Sequence, residues 1–325
     1  MLSKEIRIVF MGTPDFAVES LKALVENGYK VVGVITAPDK PAGRGRQLSE
    51  SAVKKFAVEN GLKVLQPEKL KNPEFIAELD SLKADLQIVV AFRMLPEMVW
   101  DMPPMGTFNL HASLLPQYRG AAPLNWAIIN GETETGVTTF LLSHEIDTGR
   151  IIYQEKVAIG ENDTVGDLHD RMMLVGSRLV LQTVDALAEN KVEPVDQEKL
   201  IDQQEKIKPA PKIFKEDCRI DWTKDVEMIR NLVRGLSPYP AAWTELEHRE
   251  KKEIMNAKIF SVSKEISGLT EAPGTISSDG KKYLKIACAD GWLSVTDIQL
   301  SGKKRMKTEE LLRGFHDLEN WQVKM

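Results

Sequence analysis

The 325-residue sequence lacks features that mark several large classes of protein. It has two cysteines, Cys218 and Cys288, and no CxxC pair, which argues against a disulfide framework or a zinc site and favours a reducing compartment. No apolar run approaches the roughly 20 residues that a membrane-spanning helix needs. The first strand signal, RIVFM, begins at Arg7 and leaves no room for a signal peptide. We therefore expect a cytoplasmic protein with no metal and no membrane partner.

Several nucleotide-binding and catalytic motifs are missing as well. The first strand-to-helix turn, residues 11–16, has one glycine where a dinucleotide-binding protein would show GxGxxG, which disfavours NAD and FAD. There is no GxxxxGK[ST], HExxH or GxSxG motif. The net charge of −5 argues weakly against a nucleic-acid partner. The chemistry must therefore be sought in other polar clusters.

The first 190 residues alternate between strand and helix signals, which predicts an α/β fold with a doubly wound, mostly parallel sheet. Short apolar runs predict strands at 7–11, 31–36, 62–65, 86–92, 107–113, 136–142 and 151–157. Apolar stripes of helical period predict helices at 16–27, 50–60, 73–83, 120–130 and 165–189. Thr164 and Asp167 resemble a capping box before the last helix. Ligands of such sheets bind beyond the carboxyl ends of the strands.

The remainder of the chain has a different pattern. Residues 190–211 are rich in Glu, Lys, Gln and Pro and predict a linker. A helix over 224–235 then precedes five short strand signals, and Asp290-Gly291 predicts a tight hairpin between the last two. A small OB-like β-barrel fits this pattern. We therefore predict domains at 1–189 and 212–325, joined by a linker at 190–211.

The stretch NLHASLLPQYRGAAP, residues 109–123, carries the densest set of polar groups. Asn109 and His111 share one face of a predicted strand near its end, and Asp147 follows the next strand. These groups suit attack of a neutral amine on a carbonyl. Asn109 and a protonated His111 would donate to the oxyanion, while Asp147 orients the imidazole or accepts a proton. On spacing alone, structural polar residues are the simpler interpretation.

Further motifs add a family resemblance over residues 7–314. FMGTPDFA, PDKPAGRGR, NLHASLLPQYRGAAP, ETGVT, IDTG, RIDW, IRNLVRGLSPYPAAW and GKKRM together resemble the methionyl-tRNA formyltransferases. The resemblance implies formyl transfer from 10-formyltetrahydrofolate to methionine on initiator tRNA, by a monomer of the bacterial cytosol. Asn109, His111 and Asp147 match the catalytic trio. The folate-side positions are Val90, Ala91, Phe92, Leu95, Ser113, Leu114, Leu115 and Pro116.

Two departures from the family pattern bear on different questions, Arg93 on the individual pterin contacts and residues 124–126 on the acceptor. Arg93 follows Phe92 where many members have a glycine, and Leu124-Asn125-Trp126 resembles the branch that formylates a UDP-linked amino sugar. The alternatives are therefore an amino-sugar formyltransferase, a 10-formyltetrahydrofolate hydrolase, or a non-enzymatic folate- or RNA-binding protein. The intact trio argues against the last. We expect Arg119-Gly120 to shape the turn into the next helix.

Basic residues in three places are candidates for tRNA contact. The loop PDKPAGRGRQLSE, residues 38–50, matches a family loop that lies beside the acceptor stem, although its composition also fits a solvated mobile loop. An acidic protein that holds tRNA must concentrate its positive charge locally. The predicted tRNA-binding residues are Lys40, Arg44, Arg46, Lys208, Lys212, Lys303, Lys304, Arg305 and Lys307.

Overall fold

The computed structural model describes residues 2–42, 47–201, 206–265, 271–315 and 318–325. The chain packs into two compact units. The first contains residues 1–120, 134–158 and 169–209, and the second contains residues 121–133, 159–168 and 210–325. Two short segments from the amino-terminal half thus pack with the carboxyl-terminal residues. The predicted domain boundaries at 189 and 212 stay a prediction.

From the amino terminus to Ala188 the structure alternates strands and helices. The strands are β1 (Arg7–Gly12), β2 (Lys30–Ile35), β3 (Lys40–Ala42), β4 (Gln47–Ser49), β5 (Val64–Leu65), β6 (Leu86–Val90), β7 (Thr107–His111), β8 (Arg119–Gly120), β9 (Glu134–Leu141) and β10 (Ile151–Ala158). The helices are α1 (Asp15–Glu26), α2 (Ala52–Glu59), α3 (Pro73–Ser81), α4 (Glu97–Trp100), α5 (Pro123–Ile129) and α6 (Val165–Ala188). All seven predicted strands and all five predicted helices of this half are therefore confirmed, with small shifts in their ends.

The first unit is built on a seven-stranded sheet in the order β10-β9-β7-β6-β1-β2-β5. Strands β7, β6, β1, β2 and β5 run parallel, whereas β9 and β10 run antiparallel to their neighbours. Strand β6 is buried along its whole length, as expected for the interior of a parallel sheet. The predicted doubly wound, mostly parallel fold is confirmed.

The direction of β9 matters for the site because it decides where the following loop begins. Leu142, the first residue after β9, donates its backbone N–H to the carbonyl of Thr107 at the start of β7. The loop 142–150 therefore leaves the sheet beside the beginning of β7, about 13 Å from the end of that strand at roughly 3.3 Å per residue. To reach the end of β7, the loop must run back along the strand.

The remaining elements follow from Pro209 onward. The strands are β11 (Pro209–Ala210), β12 (Ala242–His248), β13 (Ile254–Glu265), β14 (Ile276–Ser278), β15 (Leu284–Ala287), β16 (Trp292–Leu300), β17 (Met306–Lys307) and β18 (Trp321–Val323). The helices are α7 (Val226–Leu236) and α8 (Thr308–Leu312). Short 3-10 helices span Ser3–Glu5, Gln197–Leu200, Glu216–Cys218 and Leu318–Asn320.

The second unit contains the predicted barrel. Its antiparallel strands lie in the order β14-β15-β16-β13-β12-β18, with β17 paired to β16, so the nearly closed barrel has seven strands rather than the five signalled by the sequence. Short β17 and β18 were missed because two or three residues carry no clear alternation. The Asp290-Gly291 hairpin between β15 and β16 is confirmed. Helix α7 packs its apolar face on the barrel core, which includes the fully buried Trp222.

Helix α6 begins with the predicted capping box. The Asp167 carboxylate accepts the backbone N–H of Thr164 at 2.9 Å, and the Thr164 hydroxyl accepts the backbone N–H of Asp167 at 3.2 Å. These bonds satisfy two of the N–H groups that a helix start leaves without intrahelical partners. Among the helices that the structure describes, none is long and apolar enough to span a membrane.

Candidate active site

Strand β7 presents two polar side chains on one face of the sheet. Asn109 and His111 are separated by one residue, so their side chains leave the strand on the same side. Strand β7 lies between β6 and β9, which leaves Asn109 half-buried and His111 only 6% exposed. A buried imidazole needs hydrogen-bond partners, because burial without them is costly.

The partners of His111 define what each ring nitrogen does. Nε2 lies 2.9 Å from the carbonyl oxygen of Tyr118. Because a carbonyl only accepts, Nε2 carries a proton and donates it there. Nδ1 lies 3.9 Å from Oδ2 of Asp147, too far for a direct hydrogen bond. The Tyr118 carbonyl therefore orients the ring, and Nδ1 faces the carboxylate with a gap between them.

Asp147 reaches His111 along a route that strand-end geometry does not predict. Because β9 is antiparallel to β7, the loop 142–150 starts beside Thr107 and runs back along β7 to bring the carboxylate near its end. The backbone N–H of Gly120 donates to Asp147 Oδ2 at 3.0 Å. Asp147 itself has a φ of 55°, in the left-handed region that non-glycine residues seldom occupy. The carboxylate is thus held in one position by a fixed N–H.

The segment after β7 is tied down by hydrogen bonds to the neighbouring strands. Thr138 of β9 donates its hydroxyl to the carbonyl of Ser113 at 2.6 Å and accepts the N–H of Leu115 at 3.2 Å. The Gln154 side chain of β10 donates to the Leu115 carbonyl at 2.8 Å. The Ser113 hydroxyl donates to the carbonyl of Gln117 at 2.7 Å. The predicted folate-side segment is therefore a rigid wall whose Ser113 and Leu115 side chains point into the protein interior.

The two predicted folate-side segments meet at a residue that sequence reasoning missed. Leu95 belongs to one apolar cluster, Leu115 belongs to another, and the half-buried Leu142 packs against both clusters. Leu142 is the first residue of the loop that carries Asp147. Of the other predicted folate-side residues, Val90 and Pro116 are buried and Leu114 is half-buried. Apolar walls bounded by backbone polar groups are typical of sites for flat heterocycles.

The segment around Phe92 is shaped by Arg93. The Arg93 guanidinium donates to the carbonyls of Pro67 and Glu68 and lies 5.6 Å from the centroid of the Phe92 ring. Burial lowers the pKa of this guanidinium. Ala91 is exposed and has a φ of 46°. The Arg93 guanidinium is therefore fixed by two backbone carbonyls of the segment 67–68.

Beside this segment lies an open cavity of about 520 Å³. Its lining residues are Thr13, Ala37, Pro38, Asp39, Lys40, Glu68, Phe92 and Arg93. The volume falls within the range of small-molecule pockets, roughly 300 to 1,000 Å³. Within the described ranges, no group of three His, Cys, Asp or Glu side chains is placed to hold a metal ion.

The predicted tRNA-binding residues of the first unit differ in exposure. Lys40 is exposed on β3 and lines the cavity. Arg44 and Arg46 lie outside the described residues. Lys208 is half-buried, and its backbone is fixed because its N–H donates to the Gln117 side chain at 2.8 Å and its carbonyl accepts the N–H of Tyr118 at 2.7 Å.

In the second unit, Asp297 splits the predicted basic cluster into two pairs. Arg305 donates to both Asp297 oxygens at 3.0 and 2.7 Å, and Lys307 lies 3.4 Å from the same carboxylate. Burial alone would raise the pKa of Asp297, but its bonds to Arg305 and the charges of Arg305 and Lys307 lower that pKa overall. Lys303 and Lys304 are exposed, as is Lys212 on its own segment. One carboxylate therefore offsets part of the positive charge of the cluster.

Asn125 and Trp126, which suggested an amino sugar as the alternative acceptor, make hydrogen bonds within the second unit. Asn125 donates its side-chain amide to the carbonyl of Gly235 at 2.8 Å, and the Trp126 indole donates to the carbonyl of Pro211 at 2.8 Å. Leu124 is buried. These contacts give all three residues a structural role that does not require an acceptor sugar.

Comparison with known proteins shows the family of this chain. Residues 6–184 match the formyl transferase family, and residues 212–316 match the formyl transferase C-terminal domain. The methionyl-tRNA formyltransferase of Bacteroides fragilis is 58% identical over 100% of this chain and 99% of its own length. The corresponding proteins of Bacteroides thetaiotaomicron and Flavobacterium johnsoniae are 59% and 52% identical, over 97% and 96% of both chains. The chain belongs to the methionyl-tRNA formyltransferase family.

Solved structures support the fold of this family member. A sugar 3N-formyl transferase, WlaRD, solved with dTDP and 5-N-formyl-THF, superposes with a TM-score of 0.63 at 21% identity over 92% of this chain and 99% of that one. HypX from Aquifex aeolicus, solved with tetrahydrofolic acid, gives a TM-score of 0.62 at 19% identity over 94% of this chain. The chain spans about half of HypX, 47% of its length. At these identities the likeness establishes the shared fold.

Proposed function

We propose that this chain transfers the formyl group of 10-formyltetrahydrofolate to the α-amino group of methionine on initiator tRNA, for use in translation initiation. The main support for this proposal is the buried His111. Its Nε2 donates to the Tyr118 carbonyl, and its Nδ1 lies 3.9 Å from Oδ2 of Asp147. Full-length relatives of this family at 52 to 59% identity support the acceptor.

The acceptor amine attacks the formyl carbon of the donor, and the bond from that carbon to the folate nitrogen then breaks as this nitrogen takes up a proton. Asn109 and His111 lie on one face of β7 and donate to the negative charge that develops on the formyl oxygen. Because Nε2 of His111 already donates to Tyr118, the donor to that oxygen is a protonated Nδ1. Asp147 accepts the proton that the attacking amine loses, and a proton passes on to the departing folate nitrogen, so that the transfer balances.

The walls on either side of β7 fit the folate. We place Phe92 and Leu95 on one wall and Leu115 on the other, with Leu142 packed against both clusters, and propose that Val90, Ala91, Ser113, Leu114 and Pro116 complete the folate site. The backbone of the second wall is fixed by its hydrogen bonds to Thr138 and Gln154, which reduces the ordering that binding must supply.

For the tRNA, we propose phosphate contacts from exposed Lys303 and Lys304 and from Lys212 in the second unit, with Arg305 and Lys307 beside them. Lys40, Arg44 and Arg46 would contact the acceptor stem, and Lys208 would face the same RNA. We further propose that residues 1–189 carry catalysis, that 212–325 carry tRNA binding, and that the protein acts as a cytoplasmic monomer.

The test is a formylation assay with purified protein and 10-formyltetrahydrofolate. Three reactions run in parallel: with initiator Met-tRNA, with a UDP-linked amino sugar, and with donor alone to detect hydrolysis. Formyl-methionyl-tRNA should accumulate well above the no-enzyme control, while the other two reactions stay at their controls. Conversion of the sugar without conversion of Met-tRNA would replace the proposed acceptor, and donor loss alone would identify a hydrolase.

A further inference from the structure

Gln197 lies in the polar segment 190–211, where the sequence predicts a linker. It begins the short 3-10 helix Gln197–Leu200, and its side chain is only 2% exposed although the three residues after it are exposed. The segment is anchored just before it, because Val195 and Ile151 exchange two backbone hydrogen bonds of 2.8 Å. A buried primary amide needs partners for two N–H donors and a carbonyl acceptor.

All of these groups are used, and they connect two parts of the site. The Gln197 amide nitrogen donates to the carbonyls of Asp147 and Gly149, each at 2.8 Å. Its oxygen accepts from Nε and Nη2 of Arg119 at 3.0 and 2.7 Å. The bonds from the guanidinium are charge-assisted and therefore the stronger pair. Arg119 thus fixes the Gln197 amide, and the amide fixes the backbone on both sides of Thr148.

The loop needs such support because of its conformation. Asp147 has a φ of 55°, and non-glycine residues stay in this region only where their surroundings hold them. Gly149 packs so closely that a Cβ there would lie 1.7 Å from the carbonyl oxygen of Leu141. The neighbour of Arg119, Gly120, donates its N–H to the Asp147 carboxylate. The Arg119-Gly120 pair therefore holds Asp147 twice: directly at the carboxylate and through Gln197 at the backbone.

We infer that Gln197, held by Arg119, is a positioning residue that sets the Asp147 carboxylate relative to His111. This inference rests on the proposed function, in which Asp147 takes a proton during formyl transfer. A displacement of about 1 Å in a catalytic group can lower turnover by about 100-fold, so loss of this support should affect the chemical step. Substrate binding should change little, because Gln197 reaches the loop from the protein interior.

The most informative variant is Gln197→Glu. A glutamate keeps the size of the side chain and its partner Arg119, but it cannot donate to the two loop carbonyls. We expect kcat for formyl transfer to fall by about 10- to 100-fold, with the KM for the donor within about twofold. Gln197→Met, which removes both sets of bonds, should give at least the same loss. Gln87→Ala is the matched control, because it removes the buried glutamine of β6, whose side chain accepts the Thr107 hydroxyl rather than holding the backbone at Asp147 and Gly149.

A double-variant cycle separates positioning from general destabilisation. In an Asp147→Asn background, adding Gln197→Glu should lower kcat by less than about twofold further, since the group being positioned is already lost. Unchanged kcat in Gln197→Glu, or losses that multiply in the double variant, would overturn the inference alone. If Asp147→Asn leaves kcat unchanged, the proposed role of Asp147 fails and the inference fails with it.

Discussion

The polar residues on β7 and the basic turn of the barrel meet opposite physical demands. His111 and its supporting groups Ser113, Thr138 and Gln197 are buried and bound to fixed partners. Lys303 and Lys304, by contrast, are exposed side chains on a turn. Catalysis benefits from hydrogen-bond donors that are already in place within a site that excludes water. Binding a polyanion benefits instead from accessible positive charge. The two regions should therefore respond differently to substitution and to salt.

The largest effect is expected for substitution of the buried His111 on β7. His111→Ala removes a fixed donor to the formyl oxygen, so kcat should fall by about 100- to 1,000-fold while folate affinity changes little. Steady-state kinetics and a folate-binding titration measure the two quantities. The control is His248→Ala, which removes a buried imidazole from the barrel. Equal losses of turnover in both variants would mean that the first acts through stability rather than chemistry.

A smaller effect is expected for substitution of the exposed lysines on the basic turn of the barrel. Neutralising Lys303 and Lys304 to Ala should weaken tRNA binding and reduce the slope of log affinity against log salt by about 2, with kcat at saturating tRNA unchanged. Lys281→Ala with Lys282→Ala removes two exposed charges from another turn of the same barrel and serves as the control. An unaltered slope in the first pair, or the same change in both pairs, would place the tRNA elsewhere.

The smallest effect concerns Asp297, which is buried like His111 but binds the basic residues Arg305 and Lys307. Asp297→Asn should lower the free energy of unfolding at pH 7 by about 1 kcal/mol, because Arg305 loses a charged acceptor but is partly solvated. The pKa of Asp297 is lowered in the folded state, so its stabilisation is present above the unfolded carboxyl pKa of about 3.9 and is lost as the pH falls through the lower folded value. Urea unfolding at pH 7 and below pH 4 should therefore show a difference between wild type and variant that shrinks in acid. A constant difference would assign the effect to packing.

Local patterns predicted much of the fold and part of the site. The period of two in β7 placed Asn109 and His111 on one face, and turn and capping signals found the Asp290-Gly291 hairpin and the start of α6. What escaped prediction depends on partners distant in the chain. Gln197 bonds Arg119 across 78 positions and Asp147 across 50, and its polar segment shows no local sign of burial.

Two further features could not be predicted because they depend on how the strands pair. Apolar periodicity does not distinguish an antiparallel from a parallel β9, so the route of the loop to His111 could not be derived. The pairing of β16 with β17 brings Asp297 to Arg305 and Lys307, which a count of positive charges overlooks.

We propose that the preformed site around His111 performs the transfer while exposed charges on the barrel hold the tRNA. Single-turnover formylation with saturating initiator Met-tRNA and donor, run at about 50 and 200 mM salt, tests it most directly. We predict a transfer rate constant that changes by less than about twofold, while the tRNA dissociation constant measured under the same conditions rises by about tenfold or more. A rate constant that falls in proportion to affinity at saturating tRNA would contradict the separation of chemistry from charge.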